Sequence, residues 1–81
     1  MSKYDPWRDH LTNHRADIVT MSFDELDELA HLPPSSRTYA EWWSNEDIRT
    51  TTHSQCKSWQ AAGFKAEVDL VRETVTFRRG S

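Results

Sequence analysis

The apolar residues of this chain recur in two periods, and the period changes at Gly63. Before it, apart from a short run at Ile18–Met21, they return every three or four positions, which gathers them on one side of a helix. After it they alternate with polar residues, which gathers them on one face of a strand. Trp7 and Leu11 share a helix face. Asp5 is placed to cap that helix, and Pro6 fits its first position, where a missing N–H costs nothing. The helix is expected to run to about His14. Ile18-Val19-Thr20-Met21 is short, apolar and β-branched and predicts a brief strand. Ser22 and Glu25 have capping-box spacing, and Phe23, Leu26, Leu29 and Ala30 then form one apolar stripe.

Leu32-Pro33-Pro34 ends this helix, because each proline disfavours helical geometry in the residue before it. Ser35 or Ser36 can cap a third helix, Ser35–Ser44, on which Tyr39, Trp42 and Trp43 make one aromatic face. Adjacent tryptophans on a helix point about 100° apart, so one can be buried while the other stays at the boundary. Asn45 suits a helix end in left-handed geometry. Ile48–Thr52 reads as a loop. Thr52 and Gln55 give a second capping box for a helix over His53–Ala62, with Cys56, Trp59 and Ala62 inward. His53, Ser54, Lys57, Ser58 and Ala61 are expected outward. Gly63 is the left-handed stop, and Phe64 supplies the apolar contact that accompanies it. Phe64–Leu70 and Thr74–Arg78 alternate and predict a hairpin. It has no Asn-Gly pair, so a longer turn is expected than a tight one.

Composition narrows the classes. Eighty-one residues make one domain, 1–81, whose thin core leans on four tryptophans. A single cysteine cannot form an internal disulfide and suits a reducing cytosol. With no apolar run near ~20 residues and no signal-like N-terminus, a soluble, cytoplasmic protein without membrane contact is expected. Net charge is −3, which argues against an indiscriminate polyanion binder. Residues 1–47 carry four basic and ten acidic side chains, and residues 48–81 carry six and three. That asymmetry suits a basic working face on an acidic body, or a chance division of solvated charge.

Helix, strand, three helices and a hairpin make an α+β fold on the winged helix-turn-helix plan. His53–Ala62 takes the recognition position, the hairpin is the wing, and the Ser35–Ser44 helix is surplus. The chain also resembles a small uncharacterised bacterial and phage domain family. The resemblance is carried by Phe23-Asp24-Glu25-Leu26, Leu32-Pro33-Pro34-Ser35-Ser36, Trp42-Trp43-Ser44-Asn45, Trp59-Gln60-Ala61-Ala62-Gly63-Phe64 and Val75-Thr76-Phe77-Arg78-Arg79. Ser36 departs from the family's usual alanine. The resemblance implies the winged-helix-like fold and a bacterial or phage origin. Some members sit beside nuclease-like modules, which points toward nucleic acid.

Two functions are weighed. In the first the chain binds double-stranded DNA as a regulatory module or one accessory to a nuclease or mobile element. His53, Ser54, Gln55, Lys57 and Ser58 meet base edges, and Arg37, Arg49, Lys65, Arg72, Arg78 and Arg79 meet phosphates. In the second it docks a host or cognate protein through an exposed member of the Trp42/Trp43 pair or through the acidic residues Asp24, Asp27 and Glu28. No enzyme activity, cofactor or small-molecule substrate is expected. Cys56 and His53 stand i, i+3 on one helix, which rarely gives attack geometry, and two glycines leave no phosphate-cradling loop. His10 and His14 have metal spacing but no third ligand in register, so no metal is expected.

Overall fold

The computed structural model describes residues 3–80, so the outermost residues of the domain expected over 1–81 lie outside the described range. The elements are α1 (Asp5–Thr12), β1 (Ile18–Ser22), α2 (Phe23–Leu29), α3 (Pro34–Thr38), a 3-10 turn (Ala40–Trp43), α4 (Ser54–Ala61), β2 (Phe64–Asp69) and β3 (Thr74–Arg79). Four α-helices lie with a three-stranded antiparallel sheet of order β1-β3-β2, an α+β fold. No described helix is long and apolar enough to cross a membrane.

The sheet follows from alternation. Val19, Met21, Ala66, Val75 and Phe77 are buried on its inner face. Ile18, Lys65 and Arg78 stand side by side on the other face, as do Thr20, Thr76 and Glu67. The Thr20 and Thr76 hydroxyls meet at 3.2 Å. The hairpin connection is four residues long, as the missing Asn-Gly pair suggested. The Asp69 carboxylate accepts the Val71 and Arg72 N–H groups, and Glu73 turns the chain at φ 55°. Asp69, Thr74 and Ser22 end level with one another, so the paired part of the hairpin does not project past β1.

The core is built on three indoles. Trp7, Trp43 and Trp59 are mutually stacked, with centroids 5.7–6.5 Å apart and planes 20–24° apart. Each buried indole N–H finds an acceptor in a different segment. Trp7 donates to the Leu26 carbonyl (2.9 Å), Trp43 to the Ser36 carbonyl (2.8 Å) and Trp59 to Asn45 Oδ1 (3.0 Å). A buried N–H without a partner costs about 1–3 kcal/mol, so these three bonds fix α2, α3 and the loop after the 3-10 turn against the core.

Several expectations hold. The Ser22–Glu25 capping box forms in both directions at 3.1 Å. Gly63 stops α4 at φ +88°, and its N–H reaches the Gln60 carbonyl. The short strand pairs with the C-terminal hairpin.

Others are corrected. Helix α1 ends at Thr12, and its N-cap position is Tyr4, with Asp5 as the first helical residue. The Ser35–Ser44 helix is broken at Tyr39, which is extended (φ −117°, ψ 121°), and its cap position is Pro33, not Ser35 or Ser36. The cause lies in the core: the Ser36 carbonyl, which a continuing helix would offer to Ala40, is taken by the Trp43 indole. The single aromatic face is therefore lost, and Tyr39 is exposed. The second capping box is absent. His53 is the N-cap of α4 and caps without its side chain, while the Gln55 amide donates to the Trp42 carbonyl at 3.3 Å.

Candidate functional site

Asn45 is the residue that sets up this region, and it does not act as a left-handed helix stop, since Glu73 is the one described non-glycine residue at positive φ. Its side-chain amide behaves like a peptide unit of a fourth strand. Oδ1 accepts the Ala66 N–H (2.8 Å) and the Trp59 indole, while Nδ2 donates to the Ala66 carbonyl (2.9 Å). Both Ala66 groups face the free side of β2, so Asn45 closes that edge and anchors the start of the loop leading to α4.

The loop is then held by acidic side chains. The Glu46 carbonyl accepts from Gln60 Nε2, and its carboxylate accepts from the Thr51 hydroxyl and from His53 Nδ1 (2.9 Å). The Asp47 carboxylate accepts the Arg49 N–H and pairs with its guanidinium. The Thr51 hydroxyl, then His53, hold the Glu46 carboxyl below its ordinary range; Arg49 does the same for Asp47.

Helix α4 distributes the residues expected at base edges over three sides. His53, Lys57 and Ala61 form an exposed stripe, with Ser54 half-buried beside it. Gln55 turns toward Trp42. Ser58 is a correction: it is 4% exposed, and its hydroxyl donates to the Gln55 carbonyl at 2.6 Å. A buried serine satisfied by its own helix has no sequence signature. Beside the stripe, Ser54, Lys57, Ser58 and Ala61 line a hollow of about 180 Å³ together with Ile48 and, from α1, Asp5 and Arg8. Arg8 was not foreseen as a site residue. The contact between α1 and α4 that brings it there is long-range.

The residues expected at phosphates do not converge. Lys65 and Arg78 are cross-strand neighbours at the base of the hairpin, where Arg78 pairs with Glu67 at 3.0 Å. Arg79 is bound to Asp17 and to the His14 and Ala16 carbonyls, over the Phe64 ring. Arg72 is in the tip, beyond Thr74, which is roughly 14 Å of strand from Arg78 at about 3.4 Å per residue. It pairs loosely with Asp69 at 3.8 Å. Arg37 reaches Asp24 and Glu73 near that tip. Arg49 sits with Asp47 on the loop before α4.

Of the tryptophan pair, Trp42 is the one that reaches solvent. Trp43 is 2% exposed, a correction to its candidacy as a docking residue. Asp27 has structural work at the end of α2, accepting the Leu32 N–H at 2.7 Å and pairing with His31. Asp24 and Glu28 are exposed on α2, where Asp24 pairs with Arg37 at 3.7 Å. Instead Trp42 lines a groove of about 740 Å³ with Ser35, Tyr39, Glu41, Ser44, Glu46, His53 and Gln55. Tyr39, Glu41 and Glu46 were not foreseen there. The break at Tyr39, invisible in sequence, is what opens the groove between α3 and α4.

No curated protein and no solved structure matches the chain. A family model described as a domain of unknown function, DUF7662, matches residues 4–80, nearly its whole length, and the protein belongs to that family.

Proposed function

We propose that the chain is a DNA-binding module on the winged-helix plan, with α4 as the helix presented to the major groove. The observation that carries the reading is the order of elements, with α4 entering a hairpin in a sheet of order β1-β3-β2 and keeping His53, Ser54 and Lys57 at the surface. Ser54 and Lys57 can meet base edges, lysine favouring guanine. Arg8 and Arg49 flank them as phosphate contacts. Arg72, whose side chain is 83% exposed, takes the same role from the hairpin. The carboxylates beside these arginines are weak competitors, since exposed ion pairs contribute about 0–1 kcal/mol. A regulatory or accessory role in the cytoplasm, beside a nuclease or a mobile element, fits a module of this size.

Low net charge gives the reading a quantitative edge. With Arg8, Arg49 and Arg72 each neutralising one phosphate and the Lys57 ammonium counted as a fourth neutralising charge, the slope of log affinity against log salt is about −3.6. The test is fluorescence anisotropy on a random-sequence duplex pool across several salt concentrations, with Lys57→Ala alongside. The expected result is weak binding with that shallow slope, reduced by about one in the variant. No binding by the folded protein, or a slope that Lys57→Ala leaves unchanged, overturns the assignment.

A further inference from the structure

We infer that the groove walled by Tyr39 and Trp42 is a docking site for a basic segment of a partner protein, taking a lysine or arginine head between these rings and the Glu41 and Glu46 carboxylates. This does not rest on the DNA reading, because the groove lies on the Trp42 side of α4 and Lys57 lies on the α1 side.

Charge complementarity names the occupant. Among the described residues the groove is lined by the Glu41 and Glu46 carboxylates, the Tyr39 and Trp42 rings and the His53 imidazole, which pairs with Glu46 at 2.9 Å, and by no lysine or arginine, so Glu41 is the carboxylate with no ion pair. Elsewhere on the described surface Arg8, Arg37, Arg49, Arg72, Arg78 and Arg79 each have a carboxylate partner, and none of these pairs involves Glu41 or Glu46. Glu46 is held in place by Thr51 and His53 and stays a carboxylate across the neutral range. A site of this composition repels phosphate and attracts a cation. An aromatic face within about 6 Å of an ammonium or guanidinium adds cation–π attraction.

The Trp42 half of the aromatic wall is also ordered in advance. Tyr39 is 59% exposed, unusual for a large ring in a domain whose other tyrosine is 3% exposed. Trp42 meets Tyr4, Trp7 and Trp43 edge to face at 5.7, 6.0 and 4.7 Å, so its orientation is set by the core. Gln55 pins its backbone carbonyl. A rigid aromatic half in the core and half at the surface loses little entropy on binding, as at interface hot spots. The groove's size, about 740 Å³, suits a side chain with its flanking backbone.

The experiment is an NMR titration of the full chain with a blocked pentapeptide bearing two arginines, and with the same peptide bearing two glutamates. The Trp42 indole and the Tyr39 and Glu41 amides are read, while the Trp7, Trp43 and Trp59 indoles report that the fold is intact. The arginine peptide is expected to shift the first set saturably, the glutamate peptide to leave it unmoved, and Glu41→Lys to weaken binding by about fivefold. Tyr39→Ala, at an exposed ring, is expected to weaken it several-fold. The inference is overturned by the absence of a saturable shift, by equal response to both peptides, or by unchanged affinity in Glu41→Lys. It is equally overturned if the same signals move with protein concentration alone, which would make a second copy the occupant.

Discussion

Replacing Asn45 with alanine removes three hydrogen bonds at once. The Trp59 indole loses its acceptor while its ring stays 0% exposed. An orphaned buried N–H costs about 1–3 kcal/mol. The Ala66 N–H and carbonyl lose their partners on the free edge of β2, at about 0.5–1.5 kcal/mol each, less whatever water restores. The sum before any water is about 2–6 kcal/mol, against about 4–12 kcal/mol for a domain of this length at about 0.05–0.15 kcal/mol per residue. Urea unfolding followed by tryptophan fluorescence measures it. With a slope of about 1–3 kcal/mol/M, Asn45→Ala is expected to lower the midpoint by at least about 0.7 M. Asn45→Asp keeps both acceptor bonds but sets a carboxylate oxygen against the Ala66 carbonyl that Nδ2 reached, so it too is expected to lower the midpoint. A midpoint within about 0.3 M of the parent for Asn45→Ala would refute the assignment of this residue as the edge anchor.

Other substitutions probe single devices. Gly63→Ala meets no atom within 4 Å, so its cost is purely the left-handed backbone at φ +88°, about 1–2 kcal/mol, read as a drop in thermal midpoint. Ser22→Ala removes one arm of the capping box and is expected to cost about 1 kcal/mol in the same melt. Acid should loosen the loop before α4. The Glu46 and Asp47 carboxyls are depressed in the folded chain, so their stabilisation is full above the ordinary carboxylate values of about 4 and is lost as pH falls through the lower folded ones. Unfolding midpoints from pH 6 to pH 3 check this: Glu46→Gln is expected to lose less stability over that range than the parent, and an identical pH profile contradicts it.

What could be read in the sequence was local. The Ser22–Glu25 box, the Gly63 stop and the alternation after it depend on neighbours three or four residues apart, and all stand in the structure. What could not be read was decided by indoles reaching across the chain. Trp43 takes a carbonyl seven residues back and breaks a helix that periodicity continues. Trp59 and Ala66 turn Asn45 from a presumed stop into an edge clasp, 14 and 21 residues away. Charge misled for a similar reason. The acidic first part and the basic last part are separate in sequence, yet Arg79 pairs with Asp17 and Arg37 with Glu73. Folding interleaves the two halves, so the expected basic face is largely neutralised. The groove follows from the break at Tyr39 and was out of reach for the same reason.

The most direct test of α4 as the DNA-facing helix is location, not affinity. A titration of the isotope-labelled chain with a random-sequence duplex, followed by amide and side-chain NMR, gives it. The account predicts shifts at Ser54, Lys57 and Arg8, with Arg49 on the adjoining loop. Shifts confined to the hairpin base at Lys65 and Arg78, or none at saturating duplex, would contradict it.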